Sequence, residues 1–131
     1  RLDDCSTQRN LDSQGIEQSR KIGIFFNKNQ IPIDNVLSSQ WCRCKDTAKY
    51  AFKNFETFDA LNSFFSEKLR KNKDRQIKDL KKYISRWNGE GNLVLVTHYV
   101  VILEIINKAV SSGEIVILDK NLSFIGSIIN Y

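Results

Sequence analysis

Three short stretches of this 131-residue chain carry side chains whose types and spacing suit an anion. The first is Asn92-Leu-Val-Leu-Val-Thr97-His98, an apolar run that ends on the only histidine of the sequence. Four branched aliphatics in succession read as a strand buried on both faces of a parallel sheet. A helix is expected directly after it, over Val100 to Val110, with Thr97 placed to cap it. His98 would then stand at the carboxyl end of a central strand, where open α/β sheets hold ligands and helix N-termini favour negative charge. The second stretch, Ser38-Ser39-Gln-Trp-Cys-Arg43-Cys-Lys-Asp-Thr47-Ala48, sets two hydroxyls at a strand end and an arginine four residues on. A planar guanidinium beside a helix start is suited to phosphate, because its fork donates two hydrogen bonds to the oxygens. The third is Gln8-Arg9-Asn10, three donors in succession. Taken singly, each has an ordinary reading: a histidine packed beside a helix, or polar surface.

The elements that must position these groups are legible from periodicity. Residues 1 to 15 read as a loop, broken by Gly15. A helix follows over Ile16 to Phe26, with Ile22, Phe25 and Phe26 on one face. Pro32 forces Ile31 toward an extended conformation. Asn35 to Ser39 is a short strand and Gln40 to Lys45 a loop. The next helix carries Ala48, Ala51, Phe52 and Phe55 on one stripe, capped by Asp46 or Thr47. Glu56 to Leu69 reads as helical in its second half, and Asp74 to Trp87 as a clear amphipathic helix. After a turn at Ser112-Gly113, Glu114 to Leu118 and Ser123 to Ile129 form a hairpin joined by Asp119-Lys-Asn-Leu122. The expected fold is α/β, three layers in α/β/α order, with a mainly parallel sheet and an antiparallel edge hairpin.

Composition bounds the reading. Residues 1–131 make one domain, large enough to bury about two-thirds of its unfolded surface. With 41% hydrophobic and 27% charged residues, the chain has the balance of a soluble globular protein. A net charge of +5 favours an anionic partner. The basic run from Lys68 to Lys82 lacks interleaved aromatics and any groove-reading motif, so nucleic acid is not expected as a partner. Cys5, Cys42 and Cys44 make neither an even disulfide set nor a CxxC pair, and with one histidine they make no zinc site. Reduced thiols in a cytoplasmic protein are the expectation. No run is long enough to span a membrane, and neither a metal nor another cofactor is called for.

Taken together, CSTQRNLDSQG at 5–15, VLSSQWCRCKDTA at 36–48, LNSFF at 61–65, LVLVTH at 93–98 and GEIVIL at 113–118 resemble the histidine phosphatase superfamily, the phosphoglycerate-mutase-like fold. Small phosphohistidine-phosphatase-like members are the most similar. The phytase-like branch is disfavoured, because Tyr99 stands where it has an aspartate. The resemblance implies a pocket in which two histidines and two arginines surround a phosphate, the first histidine attacking phosphorus from an Arg-His-Gly motif on the first strand. By match, Arg43 is the second arginine and His98 the second histidine, with Arg9 and Asn10 at the rim. The proton donor would come from Glu56 or Asp59. Substrates would be phosphorylated small molecules or phosphohistidine.

The departure from the family is as specific as the match. The sequence holds no Arg-His-Gly and no histidine besides His98. The expectation is therefore an N-terminally truncated member whose first central strand is missing from between Leu93–Thr97 and Glu114–Leu118. It would be inactive for want of a nucleophile and would self-associate through open sheet edges. Two alternatives stand beside it: an active phosphomonoesterase or mutase in a longer natural chain, and a non-enzymatic assembly or binding module.

Overall fold

A computed structural model describes all of residues 1–131. Helix α1 (Ser13–Lys28) is started by Asp12, whose carboxylate accepts the Gly15 N–H at 2.8 Å. Gly15 is thus inside the helix rather than at its boundary. Strand β1 (Ile33–Ser38) leads to helix α2 (Cys42–Phe52), which begins at least three residues before either cap expected from sequence. That earlier start puts Arg43 and Cys44 in its first turn. Residues 56–69 do not form the helix expected in their second half. They give a two-residue strand β2 (Glu56–Thr57) and a 3-10 turn at Asp59–Leu61, followed by irregular chain. Helix α3 (Lys73–Arg86) matches expectation. Strand β3 (Asn92–Val96) and helix α4 (Tyr99–Ile106) follow. Helix α4 closes at Asn107, a left-handed residue whose N–H bonds to Leu103 O, four residues short of the expected end. Strands β4 (Ile115–Leu118) and β5 (Phe124–Ile128) pair antiparallel.

The sheet order is β2-β1-β3, all parallel, with β4-β5 as a separate antiparallel pair. This is a mixed α/β fold of the class expected. The carboxyl ends of β1 and β3 lie side by side, Ser38 opposite Val96. Consecutive residues Val36, Leu37 and Ser38 are all buried, so β1 is covered on both faces. Leu37 packs into a cluster with Leu61, Phe64, Leu80, Ile84 and Val101. Full burial of a leucine such as Leu80 contributes about 1.5–3 kcal/mol. Helices α1 and α2 pack against each other so closely that a Cβ on Gly23 would lie 2.2 Å from the Ala51 carbonyl oxygen. Only glycine permits that crossing.

The strand buried on both faces is β1, and not β3 as its aliphatic run suggested. Leu93 to Val96 are only half-buried. The reason lies in the pairing: β3 is bonded on one side alone, to β1, and β4 only to β5. Helix α4 shows the same deficit. Its sequence YVVILEII is apolar around most of its circumference, yet Val101 alone is fully buried.

Candidate anion site at the strand ends

His98 follows β3 by two residues and is the N-cap residue of α4, 6% exposed. Thr97, the cap expected from sequence, instead donates its hydroxyl to Leu61 O at 2.6 Å. The imidazole is held on both nitrogens. Its Nδ1 lies 3.1 Å from an Arg43 guanidinium nitrogen, and its Nε2 lies 2.8 Å from Ser39 Oγ. Cys44 Sγ approaches Nε2 at 3.6 Å and Thr97 O at 3.7 Å. The Trp41 indole stands edge-on to the imidazole at a centroid distance of 5.3 Å. Segments remote in sequence therefore converge on this ring, from the ends of two neighbouring parallel strands and the first turn of α2.

The electrostatics favour a negative charge in front of this cluster. Burial first, and the Arg43 charge second, push the His98 pKa down to about 4, so the ring is neutral at pH 7. Burial raises the Cys44 thiol to about 11 against the pull of Arg43, so Cys44 is a neutral thiol and no thiolate nucleophile. Arg43 has no carboxylate partner; the ion pairs of the chain use Arg1, Lys73 and Arg75. A cation in the first turn of a helix opposes the macrodipole, typically by 0.3–1 kcal/mol. The first turns of α2 and α4 both start at this site; Gln8 takes the Cys42 N–H, and the Trp41 and His98 carbonyls take those of Cys44 and Val101. A guanidinium without a carboxylate partner beside two helix N-termini favours an anion at this place.

The opening loop is fastened beside the site. Cys5 and Cys42 form a disulfide, and the Gln8 side-chain oxygen accepts the Cys42 N–H at 2.8 Å. The bond overturns the expectation of three reduced cysteines; only Cys44 is free, and it is buried. Spacing along the chain carried no hint of it, because Cys5 and Cys42 meet only through the docking of the loop on α2. Arg9 is exposed, and Asn10 turns its amide back to Cys5 O and Gln8 O; neither hydrogen-bonds to Arg43 or His98. Asp59 pairs with Arg75 at 3.7 Å. Glu56 pairs with Leu37 near the carboxyl end of β1, and it borders a cavity of about 590 Å³ among Phe26, Phe52 and Phe55. Neither acid contacts His98. Asn62, which sequence reading treated only as part of a supporting motif, holds Ser39 Oγ at 3.1 Å and the Gln40 N–H at 2.8 Å through its Oδ1. Its amide nitrogen bonds Gln40 Oε1 at 2.8 Å.

No protein-family model matches the chain, and no curated protein matches it. Among solved structures, it is similar to the protein histidine phosphatase SixA, determined in complex with tungstate. The TM-score is 0.59 at 17% identity, over 92% of this chain and 83% of that one. Likeness at this identity is a likeness of fold: the chain has a histidine-phosphatase-like fold.

Proposed function

We propose that the Arg43–His98 cluster is the phosphoryl-binding half of a histidine-phosphatase-like pocket, and that these 131 residues bind an oxyanion without turning it over. One observation carries this reading. A guanidinium with no carboxylate partner faces a buried neutral imidazole at 3.1 Å, at the carboxyl ends of two parallel strands. The fold likeness to a phosphatase solved with tungstate supports the same class of ligand, a tetrahedral oxyanion such as a phosphoryl group. Arg43 would grip its oxygens bidentately, and a protonated His98 would donate from Nδ1. Arg9, an exposed long side chain, would join from the rim, as would Asn10 only if it gave up its bonds to Cys5 O and Gln8 O.

Turnover of the covalent kind needs an attacking nitrogen, and His98, the only imidazole, is held at both of its nitrogens. The domain is therefore read as inactive by itself. An alternative reading, an active phosphomonoesterase whose nucleophile comes from further residues of the same polypeptide, draws support from the free edges of β3 and β4. Those edges, with the thin cover of α4, also support self-association by strand pairing. The cytoplasmic location expected from reduced thiols loses that support with the Cys5–Cys42 bond; what stands is that no helix is long and apolar enough to cross a membrane.

Titration with sulfate or tungstate, followed by calorimetry, tests the pocket. Binding that Arg43→Ala abolishes is expected. No binding by the intact chain at millimolar anion would refute it. Hydrolysis of an aryl phosphate by the purified chain, lost in His98→Ala, would overturn the inactive reading.

A further inference from the structure

A serine Oγ 2.8 Å from an imidazole nitrogen has the look of a nucleophile and its base. The hydrogen-bond accounting around Ser39 rules that role out. A guanidinium can only donate, so Arg43 at 3.1 Å requires a lone pair on His98 Nδ1. In a neutral ring the proton then sits on Nε2 and is donated to Ser39 Oγ. That oxygen also accepts the Trp41 backbone N–H at 3.1 Å, which fills both of its lone pairs. Its own proton goes to Asn62 Oδ1 at 3.1 Å, where the Gln40 N–H also ends. Ser39 is fully buried, with no surface from which to attack a substrate. Cys44 Sγ offers Nε2–H a second, longer acceptor at 3.6 Å while facing Thr97 O.

From this chain of donors we infer that Ser39, oriented by Asn62, is a positioning residue that fixes His98 as the Nε2–H tautomer and presents Nδ1 to the ligand beside Arg43. The inference deepens the oxyanion-pocket reading and rests on it for the identity of the ligand. It names the ring atom that meets the anion and two side chains that, together with Arg43 on Nδ1, select it. Ser39 Oγ accepts from Nε2–H in the neutral ring and in the cation alike, so the ring keeps its orientation when Nδ1 gains a proton. Asn62 does this without touching the imidazole. An amide oxygen at that place can only accept, which prevents Ser39 from turning its own proton toward Nε2.

The test is long-range nitrogen–proton correlation NMR at neutral pH, where the single histidine gives a single imidazole pattern. The native chain is expected to show a protonated Nε2 and an unprotonated Nδ1. Ser39→Ala and Asn62→Leu are expected to give a mixture of tautomers and to weaken sulfate binding about tenfold or more, the loss of one charge-assisted hydrogen bond. Asn62→Asp keeps an acceptor at Oδ1 and is expected to retain the native tautomer. A native ring protonated at Nδ1, or a native tautomer ratio in folded Asn62→Leu and Ser39→Ala, would overturn the inference. If Ser39→Ala does not fold, the comparison of Asn62→Leu with Asn62→Asp decides. Sulfate binding is a separate readout: tautomers that follow these variants in a chain that binds no sulfate would sink the pocket and leave the positioning role standing.

Discussion

Anion binding at this site should take up a proton, and the size of the effect follows from the surroundings of His98. In the free chain, burial and Arg43 hold its pKa at about 4. An oxyanion oxygen placed between Arg43 and Nδ1 removes the opposition of the two groups, since it accepts from both. A negative charge about 4 Å from an imidazolium is worth up to about 4 kcal/mol at an effective dielectric of about 20. At 1.36 kcal/mol per pKa unit that is an upward shift of up to about three units, and partial exposure of the mouth reduces it to about one to three. The bound pKa should therefore lie between about 5 and 7. The sign is set by the charge: the anion favours the cation, so affinity rises as pH falls through the bound value. Each pH unit gives up to tenfold in affinity until the free pKa near 4 is reached, where the rise stops. Sulfate is the ligand of choice because it stays a dianion throughout. Calorimetry at pH 7, 6 and 5 in two buffers of different ionisation enthalpy measures the proton taken up, and NMR titration of the imidazole with and without sulfate measures the shift directly. An imidazole pKa that sulfate leaves unmoved, with affinity flat from pH 7 to 5, would refute the reasoning.

Other outcomes follow from the same structure. The folded chain should lose stability as pH falls from 6.5 toward 4, because the unfolded imidazole protonates first while the buried one does not; the full loss is about 3 kcal/mol, read by urea melts at successive pH values. Arg43→Ala should raise the His98 pKa by removing the second of its two depressing causes, yet leave it below 6.5 because burial remains; NMR titration reads this. Gly23→Ala should cost about 1–3 kcal/mol, since the added methyl meets backbone rather than a flexible side chain; an unchanged thermal midpoint would count against the tight α1–α2 crossing. Opening the Cys5–Cys42 bond, by Cys5→Ser or a dithiol, should cost about 4 kcal/mol on the chain-entropy estimate for residues 37 apart.

Strands β1, β3, β4 and β5 and the amphipathic α3 were legible because their apolar patterns are strong and local, whereas the two-residue β2 was not. The placement of Arg43 and His98 at adjoining strand ends was also legible, through the order of motifs along the chain. Other features depended on contacts that no window of sequence contains. Helix α2 starts early because Trp41 supplies the first carbonyl, bonded by the Cys44 and Lys45 N–H groups, whereas Asp46 and Thr47 look like better caps. Residues 62–69 are rich in apolar side chains but are held by single contacts, such as Gln76 Nε2 on Asn62 O, rather than by a helical ladder. The aliphatics of β3 signalled a doubly covered strand, and they are half-buried because one of its edges has no neighbour. Ser39 was visible as a polar strand end; its bond to Nε2 was not, since it joins residues 59 apart.

The fastening of α2 has a thermodynamic consequence. Its first turn is tied to the opening loop by Cys5–Cys42 and by Gln8, and its last turns are locked to α1 at Gly23 and Ala51. The backbone under Arg43 therefore has nowhere to go when an anion arrives. Recognition is left to one guanidinium swinging off Nδ1, and the ordering cost is that of a single side chain, at most about 2 kcal/mol. Such a site should bind with almost no change in heat capacity, because no apolar surface is covered or uncovered in the process.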